Sequence, residues 1–201
     1  ELPAFDYHCP MMSLPLAFKT TLDTIPAAQG YLQPDPVRVA QWQERLGART
    51  KPRVGLVWSG STVHKGDRQR SIALAEFATL LGADCEFISL HKEVRTADQA
   101  VLDGLPQVRF VGDQLHDMAD TAALCSLMDL VISVDTSVAH LAGAIGTPTW
   151  ILLPLEPDWR WLLERSDSPW YDVARLYRQQ ALGEWAPVLA AVRRDLDALC
   201  A

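Results

Sequence analysis

Short apolar runs alternate with amphipathic stretches through the middle of the chain. Helical spacing of apolar residues predicts helices over 36–47, 73–81, 118–128 and 138–144. Runs rich in Val, Ile and Leu predict strands over 53–58, 85–90, 108–111, 130–134 and 149–153. Apolar strands that alternate with helices are typical of a parallel sheet covered on both faces. The pattern therefore predicts an α/β, Rossmann-like fold.

The two ends of the chain have a different texture. Residues 1–36 are rich in proline and show no sustained period, which predicts loop with one short helix near Ser13–Thr20. Residues 184–199 carry apolar side chains three or four apart, which predicts an amphipathic helix. We therefore expect three parts: a remnant of an upstream domain with a linker helix, the Rossmann-like domain, and a C-terminal helix. Their predicted bounds are 1–50, 51–182 and 183–201.

Composition and charge narrow the classes of function. The chain has 201 residues, of which 49% are hydrophobic and 21% charged, and its net charge is −7. These values are typical of a globular protein and exclude a disordered chain or a coiled coil. No apolar run approaches the ~18 residues of a membrane span. An acidic chain also lacks the basic surface that nucleic acid requires. We therefore expect neither a membrane span nor a nucleic-acid partner.

The cysteines and histidines do not form a recognisable metal or redox motif. Cys9, Cys85, Cys125 and Cys200 are far apart, and no C-x-x-C occurs. The histidines lack metal-binding spacing, so no metal site is expected. Scattered cysteines without a secretory leader favour a reducing, cytoplasmic location. Because the chain opens on Glu1 rather than Met, we expect a fragment.

The first predicted strand is followed by small polar and basic residues. Residues 51–70 hold five Lys or Arg and one Asp, a local charge of +4. Such a loop at the carboxyl edge of a parallel sheet suits a phosphate or diphosphate. It equally suits a solvated loop whose arginines pair with acids. The candidate ligands here are Ser59, Gly60, Lys65, Arg68 and Arg70.

A second candidate site follows the strand at 130–134. A strand, a tight polar turn and a helix direct free amide groups and a positive dipole end at one point, which suits an anion. Thr136 and Ser137 add hydroxyl donors, and His140 lies on the same side of the helix. Since the Asp135 carboxylate would repel a diphosphate, it is interpreted as the helix N-cap, accepting from the amides of residues 137 or 138. His140 also fits a partly buried residue bonded to a carbonyl.

Several other motifs are absent or ambiguous. The chain has no G-x-G-x-x-G, no P-loop and no G-x-S-x-G, which argues against a nicotinamide site, an NTPase and a nucleophile elbow. Residues 156–171 are aromatic for a loop and fit either core cover or a sugar platform. Their tryptophans, which we interpret as packing anchors, are Trp159, Trp161 and Trp170.

These motifs together resemble a known family. V-G-L-V-W-S-G (54–60), D-R-Q-R-S-I (67–72) and D-T-S-V-A-H-L-A-G-A-I-G-T-P (135–148) are similar to the carboxyl-terminal domain of bacterial glycosyltransferases. They are similar to the ADP-heptose:lipopolysaccharide heptosyltransferase family, and more distantly to the O-linked N-acetylglucosamine transferases. Such domains often follow tetratricopeptide repeats in one polypeptide. The resemblance covers roughly residues 52–180.

The resemblance implies a GT-B architecture, in which two Rossmann-like domains face each other and the second holds a nucleotide-sugar donor. It implies that Asp135, Thr136, Ser137 and His140 line the phosphates. It makes Lys65 the best match for an assisting basic residue, with Arg68 and Arg70 as rivals. It places His91, Lys92 and Glu93 near the base and ribose.

The same resemblance sets the expected substrates and partners. The donor would be a UDP-, ADP- or GDP-linked sugar, used as substrate without a resident cofactor or metal. The acceptor would be a glycan, a lipid-linked sugar or a protein, reached through a missing domain. Ser137 stands where heptosyltransferases commonly have Gly, so heptose is not implied. No catalytic base is assigned, and we expect the isolated chain to bind nucleotide but transfer little sugar.

Two other functions stay open. A non-catalytic nucleotide-binding or scaffold module on the same fold would share every residue named above, and its exposed former interface would favour a homo-oligomer. A sugar-nucleotide epimerase or hydrolase would need acid and base carboxylates in one cleft, for which the candidates are Glu93, Glu156 and Asp158.

Overall fold

A single parallel sheet organises the chain. The computed structural model describes residues 3–27 and 30–200. Six parallel strands lie in the order β3-β2-β1-β4-β5-β6. This arrangement confirms the predicted Rossmann-like α/β fold. The strands are β1 Arg53–Val57, β2 Glu86–Ser89, β3 Val108–Phe110, β4 Leu130–Val134, β5 Thr149–Leu153 and β6 Ala174–Arg178.

Helices lie before, between and after the strands. Short 3-10 turns extend several of them, including one over Ala78–Leu80 and one over Trp159–Trp161. The helices are α1 Leu14–Ala17, α2 Pro36–Leu46, α3 Asp67–Arg70, α4 Leu74–Phe77, α5 Thr96–Asp103, α6 Met118–Cys125, α7 Ser137–Ile145 and α8 Ala186–Leu199.

Both faces of the sheet are buried. On β4, Leu130, Ile132 and Val134 pack into one apolar cluster and Val131 packs into the other. The first cluster is covered by α4, α5 and α8, and the second by α2, α6 and α7. Burial on both faces explains why the central strands read as continuous apolar runs in the sequence.

Two elements lack the pattern that would have predicted them. Helix α5 buries only Asp98 and Leu102, so its amphipathic signal is weak. Strand β6 is an edge strand in which Arg175 and Arg178 flank a buried Leu-Tyr pair. Polar residues are tolerated at a sheet edge because water solvates one side, and this breaks the apolar run.

Helix α2 docks onto the Rossmann-like core. Asp35 accepts from the Val37 amide, and Pro36 suits the first turn. Trp42 and Leu46 lie in the apolar cluster with α6. The predicted division of the chain at residues 50 and 182 stays a prediction.

The strand order places a crevice at one point of the sheet. The chain leaves β1 toward β2 and β3 on one side, and then returns to β4 and continues to β5 and β6 on the other. Connections from β1 and β4 therefore diverge at their carboxyl ends, where doubly wound sheets bind ligands. Among the described residues, no helix is long and apolar enough to cross a membrane.

A disulfide joins the beginning of β2 to the end of α8. Cys85 and Cys200 are bonded although 115 residues separate them in sequence. Both pack against the first apolar cluster. Such a bond is uncommon in reducing compartments, and the spacing of the four cysteines along the chain does not predict it.

We predict that Cys200→Ser lowers the free energy of unfolding by about 2–4 kcal/mol, because the unfolded chain loses a long closed loop. The measurement is urea unfolding with and without reductant. Cys9→Ser, at an exposed free cysteine, serves as the control and should leave stability unchanged. Identical unfolding of the Cys200→Ser and unsubstituted chains without reductant would contradict the prediction.

Candidate functional site

Two adjoining cavities open at the carboxyl ends of β1 and β4. The larger has a volume of about 1250 Å³ and the smaller about 720 Å³. The larger extends over the ends of β1 and β2, and the smaller lies toward the loop after β5. Four residues line both cavities, namely His64, Arg70, Thr136 and Ser137.

The loop after β1 is shaped around an arginine. Gly60 donates its amide to the Ser71 hydroxyl at 3.0 Å, which holds the loop against the end of α3. A Cβ atom on Gly60 would lie only 2.5 Å from Nη2 of Arg70. Gly60 therefore leaves room for the Arg70 guanidinium, which would have to shift if a Cβ were present. Ser59 is buried and lines the larger cavity.

Arg70 connects the two strand ends. Its Nη1 donates to the Asp135 carbonyl at 2.7 Å, so the loop after β1 is bonded to the loop after β4. The side chain is mostly buried, and it lines both cavities. This arrangement places a guanidinium group between the cavities.

Lys65 and Arg68 lie differently from Arg70. Both are exposed and neither belongs to the described lining of the two cavities. Lys65 lies between His64 and Gly66, which line the same cavity as His140. The structure therefore brings the Lys65 loop and His140 to one side of the molecule and places Arg70 deepest.

Helix α7 begins at the rim shared by both cavities. Its N-cap is Thr136, whose side chain makes no capping bond within the described part of the chain. The Thr136 hydroxyl instead bonds that of Ser133 at 3.1 Å. The first amides of α7 are thus not claimed by a capping side chain, and Thr136, Ser137 and Val138 line the larger cavity.

The prediction that Asp135 caps α7 is wrong. Its carbonyl accepts from Arg70, and its carboxylate lies 3.8 Å from Nε2 of His140. Asp135 lines the smaller cavity, and the N-cap of α7 is Thr136.

His140 is held in an aromatic setting. Its ring stacks on Trp161 with centroids 5.0 Å apart, and Nδ1 lies 3.1 Å from the Tyr171 hydroxyl. Burial lowers the pKa of His140, and the neighbouring Asp135 carboxylate opposes that effect. His140 is therefore a neutral hydrogen-bonding group of the smaller cavity at pH 7.

His91 is also neutral, for a structural reason. Its Nε2 accepts from the Trp58 backbone amide at 3.1 Å, and the two rings lie 4.0 Å apart. Burial, assisted by the positive charge of Arg95, lowers its pKa to about 3. His91 lines the larger cavity but supports the end of β1 rather than offering a charge.

Lys92 and Glu93 lie at the exposed rim of the larger cavity. Lys92 donates to the His116 carbonyl at 3.0 Å, which ties the loop after β2 to the segment before α6. The epimerase candidates are not all brought to one cavity, since Glu93 lines the larger and Glu156 and Asp158 line the smaller.

The tryptophans of the aromatic loop at residues 156–171 differ in burial. Trp161 is fully buried, as predicted for a packing anchor. Trp159 is not an anchor, because it is 57% exposed. The Arg160 guanidinium lies over its ring at 4.8 Å, and Trp170 meets it edge-on at 5.9 Å.

Arg95 is a cavity residue that the sequence analysis does not single out. It precedes α5, lines the larger cavity, and donates to the Gly60 carbonyl at 2.7 Å. Nothing in the local pattern marks it, because its partners lie near β1. Across residues 3–27 and 30–200, no group of three His, Cys, Asp or Glu residues is arranged to hold a metal ion.

Comparisons with known proteins place the chain near two bacterial ones. It is 31% identical over 208 residues to Protein FlbA of Caulobacter vibrioides (strain CB 15). The aligned region covers 96% of this chain and 33% of FlbA. The chain thus spans about a third of that relative's length. No protein-family model matches the chain.

The structural neighbour is ADP-heptose LPS heptosyltransferase II of E. coli. The TM-score is 0.50 with 17% identity, over 90% of this chain and 58% of that one. The two share a fold. An identity this low carries no statement about activity.

We predict that the folded state loses stability as the pH falls below 6.5, and that His91 causes a distinct part of the loss. The pKa of His91 is about 3 in the folded chain and near 6.5 when unfolded, so the unfolded state binds the proton first. Stability from the neutral ring is complete above pH 6.5 and declines toward pH 3. At pH 5 this amounts to about 2 kcal/mol.

The check is urea unfolding at pH 7 and pH 5 for the unsubstituted chain and for His91→Gln, which keeps an acceptor for the Trp58 amide. The variant should be less stable at pH 7 but show a smaller drop between the two pH values. Equal drops would show that His91 is protonated in the folded chain.

Proposed function

We propose that this chain is the nucleotide-sugar donor-binding domain of a metal-independent GT-B glycosyltransferase. The observation that carries the proposal is the meeting of the Arg70 guanidinium with the uncapped start of α7 at the switch point of the sheet. Amides at a helix N-terminus and a guanidinium group both bind phosphate oxygens.

The charge at this point suits a leaving diphosphate. Glycosyl transfer expels a nucleoside diphosphate, so negative charge grows on its phosphate oxygens. Preorganised donors aimed at developing charge lower the barrier of such a step. Arg70 and the α7 amides provide these donors without a metal ion. Thr136 and Ser137 add hydroxyls at the same rim.

The two cavities suit the two ends of a nucleotide sugar. The larger is lined in part by aliphatic side chains that suit a base and ribose, namely Val57, Leu90, Leu115, Met118 and Val138. The smaller carries Asp135, Glu156 and Asp158 beside Tyr171. Carboxylates accept hydrogen bonds from sugar hydroxyls, and an aromatic ring packs against the apolar C–H face of a sugar. The linkage between base and sugar would then cross Arg70, which both cavities share. The donor would be UDP-, ADP- or GDP-linked.

The remaining parts of the function are also proposed. The acceptor-binding domain and the catalytic base would lie outside this chain, which spans 58% of the heptosyltransferase chain it resembles in fold. The acceptor would be a glycan, a lipid-linked sugar or a protein. We also propose that the protein carries tetratricopeptide repeats, lies in the cytoplasm and self-associates. The 201-residue chain would bind donor and turn over little of it.

We predict that the chain binds at least one of UDP, ADP and GDP with a Kd between micromolar and millimolar, about 4–8 kcal/mol. Arg70→Ala should weaken binding about 10-fold or more, because a charge-assisted phosphate contact is lost. Arg68→Ala, on the exposed part of the same helix, is the matched control and should change Kd less than about 3-fold. Isothermal titration calorimetry at fixed ionic strength measures the Kd of the unsubstituted chain and of both variants. No binding of any of the three nucleotides would refute the proposed function.

A second prediction tests the position of the Arg70 guanidinium without removing it. Gly60→Ala places a methyl group against the mobile end of Arg70, so the side chain should shift while the fold persists. We expect nucleotide affinity to fall about 3- to 10-fold with little change in melting temperature. Gly104→Ala is the control, because Gly104 lies outside both linings and a Cβ there would meet its nearest atom at an ordinary 3.4 Å. Equal nucleotide affinities of the two variants would show that the position of the Arg70 guanidinium does not affect binding.

A further inference from the structure

A buried carboxylate lies beneath the arginines of the site. Asp67 is only 5% exposed. Its Oδ2 accepts from Nη2 of Arg95 at 2.6 Å, and its Oδ1 accepts from the Ser71 hydroxyl at 2.8 Å. Nε of Arg70 lies 3.7 Å from the same Oδ1. One carboxylate therefore holds two guanidinium groups and a hydroxyl.

Arg95 extends this network to the loop after β1. Its Nη2 also approaches the Gly60 carbonyl at 2.7 Å and the Ser71 hydroxyl at 3.0 Å. Ser71 in turn accepts from the Gly60 amide. Asp67 is thus the point at which the start of α5, the end of α3 and the loop after β1 are tied together.

The network leaves a positive charge without a partner. Within residues 3–27 and 30–200, Asp67 has the only side-chain carboxylate within 4.0 Å of a guanidinium nitrogen of Arg70 or Arg95. Nε of each arginine is buried and makes no hydrogen bond inside the described ranges. Two guanidinium groups and one carboxylate give this three-residue cluster a net charge of +1. Buried ion pairs add little stability over apolar packing, so stability alone does not account for this cluster.

We propose that Asp67 is a positioning residue, which holds Arg70 and Arg95 as a pair for the phosphate groups of the donor. This inference rests on the proposed function and adds Arg95 to the phosphate contacts. Asp67 itself does not touch the ligand, and neither cavity has it in its lining. Its negative charge opposes an anion, but the order that it imposes on two guanidinium groups favours one.

The two effects of Asp67 predict opposite results for Asp67→Asn. If only net charge matters, removing a carboxylate tightens binding of a nucleoside diphosphate. If positioning dominates, the arginines separate and binding weakens. We expect Kd to rise about 10-fold, because misplaced charged donors lose most of their contact. The measurement is calorimetry with the nucleotide that binds the unsubstituted chain best.

A second variant avoids dependence on one substitution. Arg95→Lys keeps the charge but has a shorter side chain without Nη2, the one nitrogen that reaches Gly60, Asp67 and Ser71 together. We expect Kd to rise about 3- to 10-fold, whereas Arg68→Lys, on the exposed surface, should leave it unchanged. An effect of charge alone would leave Arg95→Lys unchanged as well.

The control for a merely structural effect is Asp98→Asn. Asp98 is also buried, accepts from the Trp58 indole and the Leu74 amide, and lies outside both linings. It should lower the melting temperature without changing nucleotide affinity. If the Asp67→Asn variant does not fold, the Kd of Arg95→Lys alone tests the positioning role.

The outcomes separate the two proposals. Tighter or unchanged binding in Asp67→Asn, or unchanged binding in Arg95→Lys, overturns the positioning role and leaves the proposed function in place. An unsubstituted chain that binds no nucleoside diphosphate overturns both. Weaker binding in both variants, with Asp98→Asn and Arg68→Lys unchanged, supports the positioning role.

Discussion

The bond between the Arg70 guanidinium and the Asp135 carbonyl is the contact on which the site depends. In a doubly wound sheet the loops after the two central strands diverge, and nothing in the strand pairing itself fixes their spacing. Here one side chain from α3 spans the gap at 2.7 Å. The same side chain is one of four that line both cavities. Gly60 accommodates it because a larger residue would occupy its place. Fold and site therefore share one constraint.

The electrostatics of the site come from arginines and helix amides, not from histidines. His91 and His140 both lie among the cavity residues, yet burial lowers the pKa of each. They act as neutral hydrogen-bonding groups that fix β1 and the aromatic loop. A site built this way keeps its positive charge throughout the physiological pH range, because guanidinium groups do not lose their proton.

A charge count along the sequence identifies the correct loop but not the residues that matter within it. Lys65 and Arg68 contribute to the local excess of positive charge and are solvated. Arg70 lies inside, and Arg95 joins it from 25 residues further along the chain. Asp67 counts as a subtraction in the sequence, whereas in the fold it orders the two arginines. The prediction of a basic loop was therefore useful, but a count of charges does not distinguish Arg70, which lines both cavities, from Lys65 and Arg68, which are exposed.

The sequence by itself determined strands β1 to β5, helices α2, α4, α6, α7 and α8, and the strand–turn–helix at Asp135–Ser137, because each is encoded by neighbours along the chain. Only the tertiary structure decided which side chains meet. The Arg95–Asp67 pair spans 28 residues, the Arg70–Asp135 bond 65 and the Cys85–Cys200 bond 115. Strand β6 and helix α5 were hidden for the same reason, since their stability comes from packing against distant elements rather than from their own periodicity. Contacts at such separations are set by the order of strands in the sheet, and local composition carries no record of that order.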